Sequence, residues 1–230
     1  MKRILITGAS RGIGRAIAEK LAAPETHLIL VARDREALAE TKRLVEGRGA
    51  RADLFPVDLS DPEAVQANGM EIAHLRPDVL INNAGVAFVK PFDQLSLEEW
   101  QRTLAVNVTA PFILIGILAP LMAPGATILN ILSIAAKTGF PGWSSYAMSK
   151  FALEGFSQSV REELRPRGIR VINIYPAATA TEIWNSVEGN WPREKMMTAE
   201  DVAEAVRYAL AQRPAVAVEN ITVSGTAGAL

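Results

Sequence analysis

Tyr146 stands four residues before Lys150, and on a helix that spacing puts both side chains on one face. A phenol titrates near ~10, and an adjacent ammonium favours the phenolate, so such a pair is drawn towards neutrality, where proton exchange is efficient. Thirteen residues before the tyrosine, Ser133 closes an apolar strand-like run. A hydroxyl there can donate to a carbonyl oxygen beside Tyr146 and polarise the carbon for hydride attack. Taken alone, Tyr-x-x-x-Lys is common by chance and reads more readily as an exposed helix pair. Ser144 and Ser145 lie nearer the tyrosine and read as residues that serve the entry into its helix.

A second pattern sits near the start, where Thr7-Gly8-Ala9-Ser10-Arg11-Gly12-Ile13-Gly14 follows a first apolar run and opens a helix-like segment. Glycine lets a backbone turn sharply and approach a pyrophosphate, and a helix N-terminus offers free N–H groups to the anion. The spacing Gly-x-x-x-Gly-x-Gly differs from the general dinucleotide fingerprint Gly-x-Gly-x-x-Gly, and a turn serving only helix–strand packing has the same composition. Cofactor choice falls at the end of the second run, which reads Val31-Ala32-Arg33-Asp34. Arg33 can fork onto a ribose 2′-phosphate and Arg11 can reach the same group, which favours NADP(H). NAD(H) becomes possible if Arg33 is only a surface residue, and Asp34 reads as the cap of the next helix.

These residues need a scaffold. Apolar strand-like runs at residues 3–6, 27–32, 52–57, 79–81, 126–132, 170–175 and 217–223 alternate with helical segments beginning near Gly12, Asp34, Asp61, Ser96, Trp143 and Thr198. Alternation of this kind predicts an α/β fold: a doubly wound, Rossmann-type three-layer sandwich with a mostly parallel seven-stranded sheet. The runs are continuously apolar, as strands covered on both faces should be. Ser60-Asp61-Pro62-Glu63 and Ser96-Leu97-Glu98-Glu99 place a capping residue ahead of first-turn carboxylates. Residues 177–197 lack periodicity and follow the sixth strand, where a loop is placed to act as a substrate lid.

The length of 230 residues suits one domain over 1–230, and the formal net charge of −1 with dispersed cations gives no footprint for nucleic acid or an anionic membrane. The longest apolar stretch, 110–123, is interrupted by Pro111, Gly116 and Pro120 and is short of the ~20 residues of a membrane helix. It reads as a buried or subunit-facing helix. No cysteine is present, which excludes disulfides, thiolate catalysis and cysteine-ligated metals and is consistent with the cytoplasm. The start, Met1-Lys2-Arg3 followed at once by an apolar run and Thr7-Gly8, leaves no room for a signal peptide. His27 and His74 stand apart from the motifs, so no metal site is expected. Trp184, Trp191, Ile183 and Met196, like Phe88, Val89 and Phe92, read either as a pocket lining or as packing.

With these residues in view the chain resembles the short-chain dehydrogenase/reductases, 3-oxoacyl-[acyl-carrier-protein] reductase-like members among them. The resemblance rests on Thr7 to Gly14, Asp58-Leu59, Asn82-Asn83-Ala84-Gly85, Asn107, Ser133, Tyr146, Lys150 and Pro176, in the family's order over almost the whole chain. It implies an oxidoreductase that reduces a ketone or aldehyde, with Tyr146 as general acid. Lys150 would lower the pKa of Tyr146 and hold the nicotinamide ribose, Ser133 would orient the carbonyl, and Asn107 would support a water linked to Lys150. It further implies that Asp58 contacts the adenine and Asn83 to Gly85 pass beside the adenosine ribose, with Thr181 bonding the nicotinamide amide or a phosphate. Substrate classes open at this point are 3-oxoacyl thioesters, small diketones and pterin-like carbonyls, and a non-catalytic NADP-binding regulatory module is the alternative of another kind. The chain departs from the family's Pro-Gly with Pro176-Ala177, which requires a backbone angle that alanine tolerates. Its tail from Val223 to Leu230 only partly matches the family's glycine-rich end. The apolar helix 107–122 and the helix after Trp143 resemble the family's dimerising pair, so a homodimer or homotetramer is expected.

Overall fold

The computed structural model describes residues 1–187, 191–213 and 215–226. Seven strands, β1 (Lys2–Thr7), β2 (Thr26–Ala32), β3 (Arg51–Pro56), β4 (Val79–Asn82), β5 (Thr127–Ile131), β6 (Arg170–Pro176) and β7 (Asn220–Val223), form one sheet in the order β3-β2-β1-β4-β5-β6-β7. Every pairing is parallel. The doubly wound α/β sandwich expected from the alternation of elements is therefore present. Only β7 is clearly shorter than expected: residues 217–219 lie outside its ladder, although Glu219 O still accepts from Asn173 N.

The two faces of the sheet bury different sets of side chains because successive residues of a strand point oppositely. Ile4 and Ile6 of β1 join a core with α1 (Gly12–Leu21), α2 (Arg35–Glu46) and α7 (Ala199–Leu210), whereas Leu5 joins a core with α3 (Pro62–Ala73), α5 (Ala110–Leu118) and α6 (Ser144–Leu164). Fully burying each such aliphatic side chain contributes roughly 1.5–3 kcal/mol. A polar row crosses this apolar sheet. Asn82 Nδ2 donates to Asn130 Oδ1 at 2.9 Å, and Asn130 Nδ2 donates to Asn173 Oδ1 at 3.1 Å, along the paired register of β4, β5 and β6. Buried amides bonded across neighbouring strands oppose a slip in register, which would separate them, although Asn82 Oδ1 itself has no partner among the described residues.

Helix starts follow the local chemistry. Asp34, Asp61, Ser96 and Thr198 cap α2, α3, α4 (Leu97–Leu104) and α7 with side-chain hydrogen bonds. Helices α4 and α5 are the halves of one continuous helix, Leu97–Leu121, joined by a π-helical turn at Ala105–Thr109. The 110–123 stretch was expected to be too short to cross a membrane. Because the helix begins at Leu97, its length and mean hydropathy of 2.1 suffice for a span by composition alone. One face, with Val106, Ala110, Leu114, Ile115 and Leu118, is nonetheless built into the core beneath the sheet.

Candidate active site

A parallel sheet whose order reverses between β1 and β4 opens a crevice beyond the carboxyl ends of those strands. The residues singled out in the sequence gather along that edge. Gly8 to Gly14 follow β1, Arg33 follows β2, Asp58 and Leu59 follow β3, Asn83 to Gly85 follow β4, and Ser133 follows β5. Pro176 ends β6, and Tyr146 and Lys150 lie in the first two turns of α6.

The glycine turn has steric reasons for its composition. Gly8 and Gly12 have φ of 66° and 53°, and a Cβ at Gly14 would stand 2.1 Å from Gly8 O. A Cβ at Gly8 would meet Ala84 Cα at 2.9 Å, so the turn is pressed against the end of β4. Asn83 Nδ2 donates to Thr7 O at 2.9 Å, and Thr7 Oγ1 accepts from Asn83 N and Ala84 N. Ile13 packs on the core, Leu59 is buried, and Ser10 lends its carbonyl to the turn's support. That support was not foreseen. Arg15 donates to Ser10 O at 2.6 Å and to Thr41 Oγ1, and Thr41 Oγ1 donates to Ala9 O.

The turn fits a pyrophosphate. Arg11, at the N-cap of α1, makes no capping hydrogen bond, and no acidic residue stands in the first turn. The helix's positive end suits an anion, and the Glu182 carboxylate, whose Oε2 lies 3.2 Å from where a Cβ of Gly12 would be, must turn aside to admit one. A cleft of about 470 Å³ extends from Gly12 and Arg15 to Thr181, Glu182 and Arg193. On the other side Arg33 is 67% exposed and lies 3.8 Å from Asp58, so its guanidinium remains open to a phosphate. Asp58 accepts from Ser60 N and Oγ, and these bonds hold its carboxyl below the usual range. Arg11 is exposed at the same end of the sheet.

Ser133 Oγ accepts from Ala135 N at 3.1 Å, and the hydroxyl is near enough to the Tyr146 phenol to lower its pKa. Lys150 is 3% exposed, donates to Ile131 O at 3.0 Å, and lies 5.5 Å from the centre of the Tyr146 ring. Burial lowers its pKa to about 8. The expectation that Lys150 draws the phenol towards neutrality is not met. Tyr146 retains some exposure as a residue, yet its surroundings desolvate the phenol and push it up to about 12, offset in part by Ser133.

Asn107, in the π-helical turn, is fully buried; its Oδ1 accepts from Val86 N, and its Nδ2 donates to Val86 O and Ser149 Oγ. Asn107 Oδ1 and Lys150 Nζ lie 3.6 and 3.7 Å from where a Cβ of Gly85 would be, so the absent side chain leaves a small space between them. Pro176 pairs with Val223, and Ala177, which follows it, has no positive φ and donates its N–H to Val223 O. Alanine is therefore accommodated there. Ser145 does not cap α6: its Oγ is buried without a hydrogen-bond partner among the described residues.

The segment after β6 carries two short 3₁₀ turns, Glu182–Ser186 and Arg193–Lys195, and a bridge between Thr179 and Met197. Trp184, Val187 and Met196 form a small apolar core there that also takes in Val89 and Trp143. Phe92, by contrast, is 80% exposed. Residues 188–190 of the expected lid and 227–230 of the tail lie outside the described residues. Among those described, no cluster of three metal-ligating side chains occurs.

Known proteins share this fold. The family model for the short chain dehydrogenases matches residues 2–190. The chain is 34% identical to a fatty acyl-CoA reductase of Acinetobacter baylyi over 229 residues, covering 93% of this chain and 74% of that protein. It is 33% identical to a sepiapterin reductase of Chlorobaculum tepidum, with coverage of 99% and 98%. A crystal structure of a short chain dehydrogenase from Burkholderia cenocepacia in complex with NADP superposes with a TM-score of 0.88 at 32% identity, covering 97% of this chain and 96% of that one. With the family model matching most of its length and relatives above 30% identity along nearly all of it, the chain belongs to the short chain dehydrogenase family of oxidoreductases.

Proposed function

We propose that the protein reduces ketone or aldehyde carbonyls with NADPH, reversibly, and that Tyr146 supplies the proton. The observation that carries this reading is the convergence at the end of β5 of Ser133, Tyr146 and buried Lys150, whose Nζ lies 5.5 Å from the centre of the Tyr146 ring and is tied to Ile131 O two residues before Ser133. The glycine turn and α1 would hold the pyrophosphate, Asp58, Leu59 and Asn83 to Gly85 the adenosine, and Pro176 and Thr181 the nicotinamide end. Arg33 and Arg11 favour the 2′-phosphate of NADP over NAD. Bound there, the cofactor supplies the hydride. The protein's own groups do the rest. Ser133 and Tyr146 converge on one carbonyl oxygen, and as charge develops on it the phenol, kept protonated by its raised pKa, releases its proton to the oxygen. The resulting phenolate is stabilised by the Lys150 ammonium, and Asn107 holds the small space beside that ammonium through which a proton can return.

Residues 177–197 would cover the substrate. Phe112, Leu121 and Phe151 on α5, the end of the long helix and α6 are exposed apolar residues, which supports assembly of this face into a homodimer or tetramer. The reading is tested by NADPH oxidation across acetoacetyl thioesters, diketones, aldehydes and sugars, with NADH in parallel. Thioesters belong in the panel because the Acinetobacter baylyi relative is named for acyl-CoA reduction. Turnover of some carbonyl with a preference for NADPH is the expected result; binding of NADPH without turnover across the panel would overturn it.

A further inference from the structure

Resting on the carbonyl-reduction reading, we propose that Trp143 is the specificity-determining wall of the substrate pocket, and that the favoured substrates carry an aryl group on the carbonyl carbon. Three tryptophans run from the lid to the candidate acid. Trp191 and Trp184 have ring centres 4.9 Å apart, Trp184 and Trp143 5.5 Å, and Trp143 and Tyr146 5.5 Å, the last two nearly edge-to-face at 65° and 68°. The polar group of Trp184 is used up, since its Nε1 donates to Thr179 O at 2.8 Å. Trp184 is buried at 8% exposure, whereas Trp143 stays partly open beside Tyr146.

The surroundings of Trp143 come from separate parts of the chain and share one chemistry. Val89 follows β4, Ala178 follows β6, and Ile183 belongs to the lid; all pack on the same cluster. Of the nearby cations, Lys90 Nζ bonds Glu99 at 2.7 Å and Arg193 donates to Asn185 Oδ1 at 2.8 Å, while Lys195 is exposed at the lid's outer edge. A polyol entering this space would lose water from its hydroxyls without replacement partners. A flat aromatic ring instead continues the edge-to-face series, whose centroid spacing of ~4.5–7 Å suits a further ring.

The test uses the whole protein with NADPH and three substrates: acetophenone, 2,3-butanedione and erythrulose. Wild type is expected to favour acetophenone in kcat/KM. Trp143→Ala should lower the acetophenone-to-butanedione ratio by about 10-fold, mainly through KM, the effect of losing one well-placed aromatic contact. Trp143→Phe should restore most of the ratio. A readout free of turnover is quenching of tryptophan fluorescence by acetanilide, which should weaken about 10-fold in Trp143→Ala. Equal losses for acetophenone and butanedione, or a wild-type preference for erythrulose, would overturn the aryl pocket while leaving carbonyl reduction standing. Acetanilide binding that depends on Trp143 in a protein that reduces no carbonyl would uphold the pocket and sink the reaction.

Discussion

Lys150 Nζ donates to Ile131 O at 3.0 Å, which ties the start of α6 to the end of β5 two residues before Ser133. One hydrogen bond thus sets the distance between the helix that carries Tyr146 and the strand end that carries its partner. It also holds an ammonium where burial has brought its pKa down to about 8.

A pH profile follows from these values. Tyr146, pushed up to about 12, stays protonated and able to donate over the working range. Lys150 loses its charge as pH rises through about 8, and with it the stabilisation proposed for the phenolate that forms during the reaction. Carbonyl reduction, measured as kcat/KM between pH 6 and pH 10, should be level at the acid end and decline above about pH 8. A rate that climbs through that interval contradicts the assignment of Lys150.

The same burial costs stability. The folded pKa of Lys150 lies below its unfolded value of 10.5, so the folded state is penalised while the group is charged, and the penalty fades as pH rises from about 8 to 10.5. The shift corresponds to about 3 kcal/mol, set against roughly 1 kcal/mol from the bond to Ile131 O. Lys150→Met should therefore abolish activity yet unfold at higher denaturant concentration than wild type at pH 7, by about 2 kcal/mol. The gap should close at pH 10, and a variant less stable at pH 7 would show that the ammonium stabilises the fold.

In the proposed reading, cofactor choice rests on Arg33, which lies 3.8 Å from Asp58. Arg33→Ala removes a cation that would bond the 2′-phosphate, so KM for NADPH should rise about 10- to 100-fold while KM for NADH changes little. Parallel titrations of the two cofactors decide this, and equal changes in both would remove the basis for an NADP preference.

Two glycines give opposite outcomes. At Gly14 an added Cβ falls 2.1 Å from a backbone oxygen and 2.5 Å from Asn83 Nδ2, so Gly14→Ala should destabilise by at least about 1–3 kcal/mol and suppress the thermal shift produced by NADPH. At Gly116, within α5, nothing lies within 4 Å, and Gly116→Ala should stabilise by about 0.5–1 kcal/mol. Thermal melts with and without NADPH check both.

The strands were legible because burial on both faces makes them continuous apolar runs, and the helix starts because Asp34, Asp61, Ser96 and Thr198 cap them. The order of Ser133, Tyr146 and Lys150 along the chain was likewise readable. Other features depend on contacts between residues far apart. Arg15 and Thr41 lock the glycine turn from different helices, and Asn82, Asn130 and Asn173 meet only once their strands are paired. Nothing in the run around Asn107 signals a π-helical turn inside a continuous helix. Trp143 and Trp184 meet only when the segment after β6 folds back over α6, so composition alone left the lid aromatics with two readings. The phenol's raised pKa escaped notice because burial outweighs its neighbours, and burial is a property of the folded site.

The central claim is that Tyr146 delivers the proton, and single-turnover reduction of an accepted carbonyl by Tyr146→Phe, with NADPH bound beforehand, tests it most directly. Phenylalanine keeps the ring against Trp143 and removes only the hydroxyl beside Ser133. The rate should fall by about 10²–10⁴-fold with NADPH affinity nearly unchanged. A variant that reduces the carbonyl within about threefold of wild type, well short of that range, would place the proton donor elsewhere.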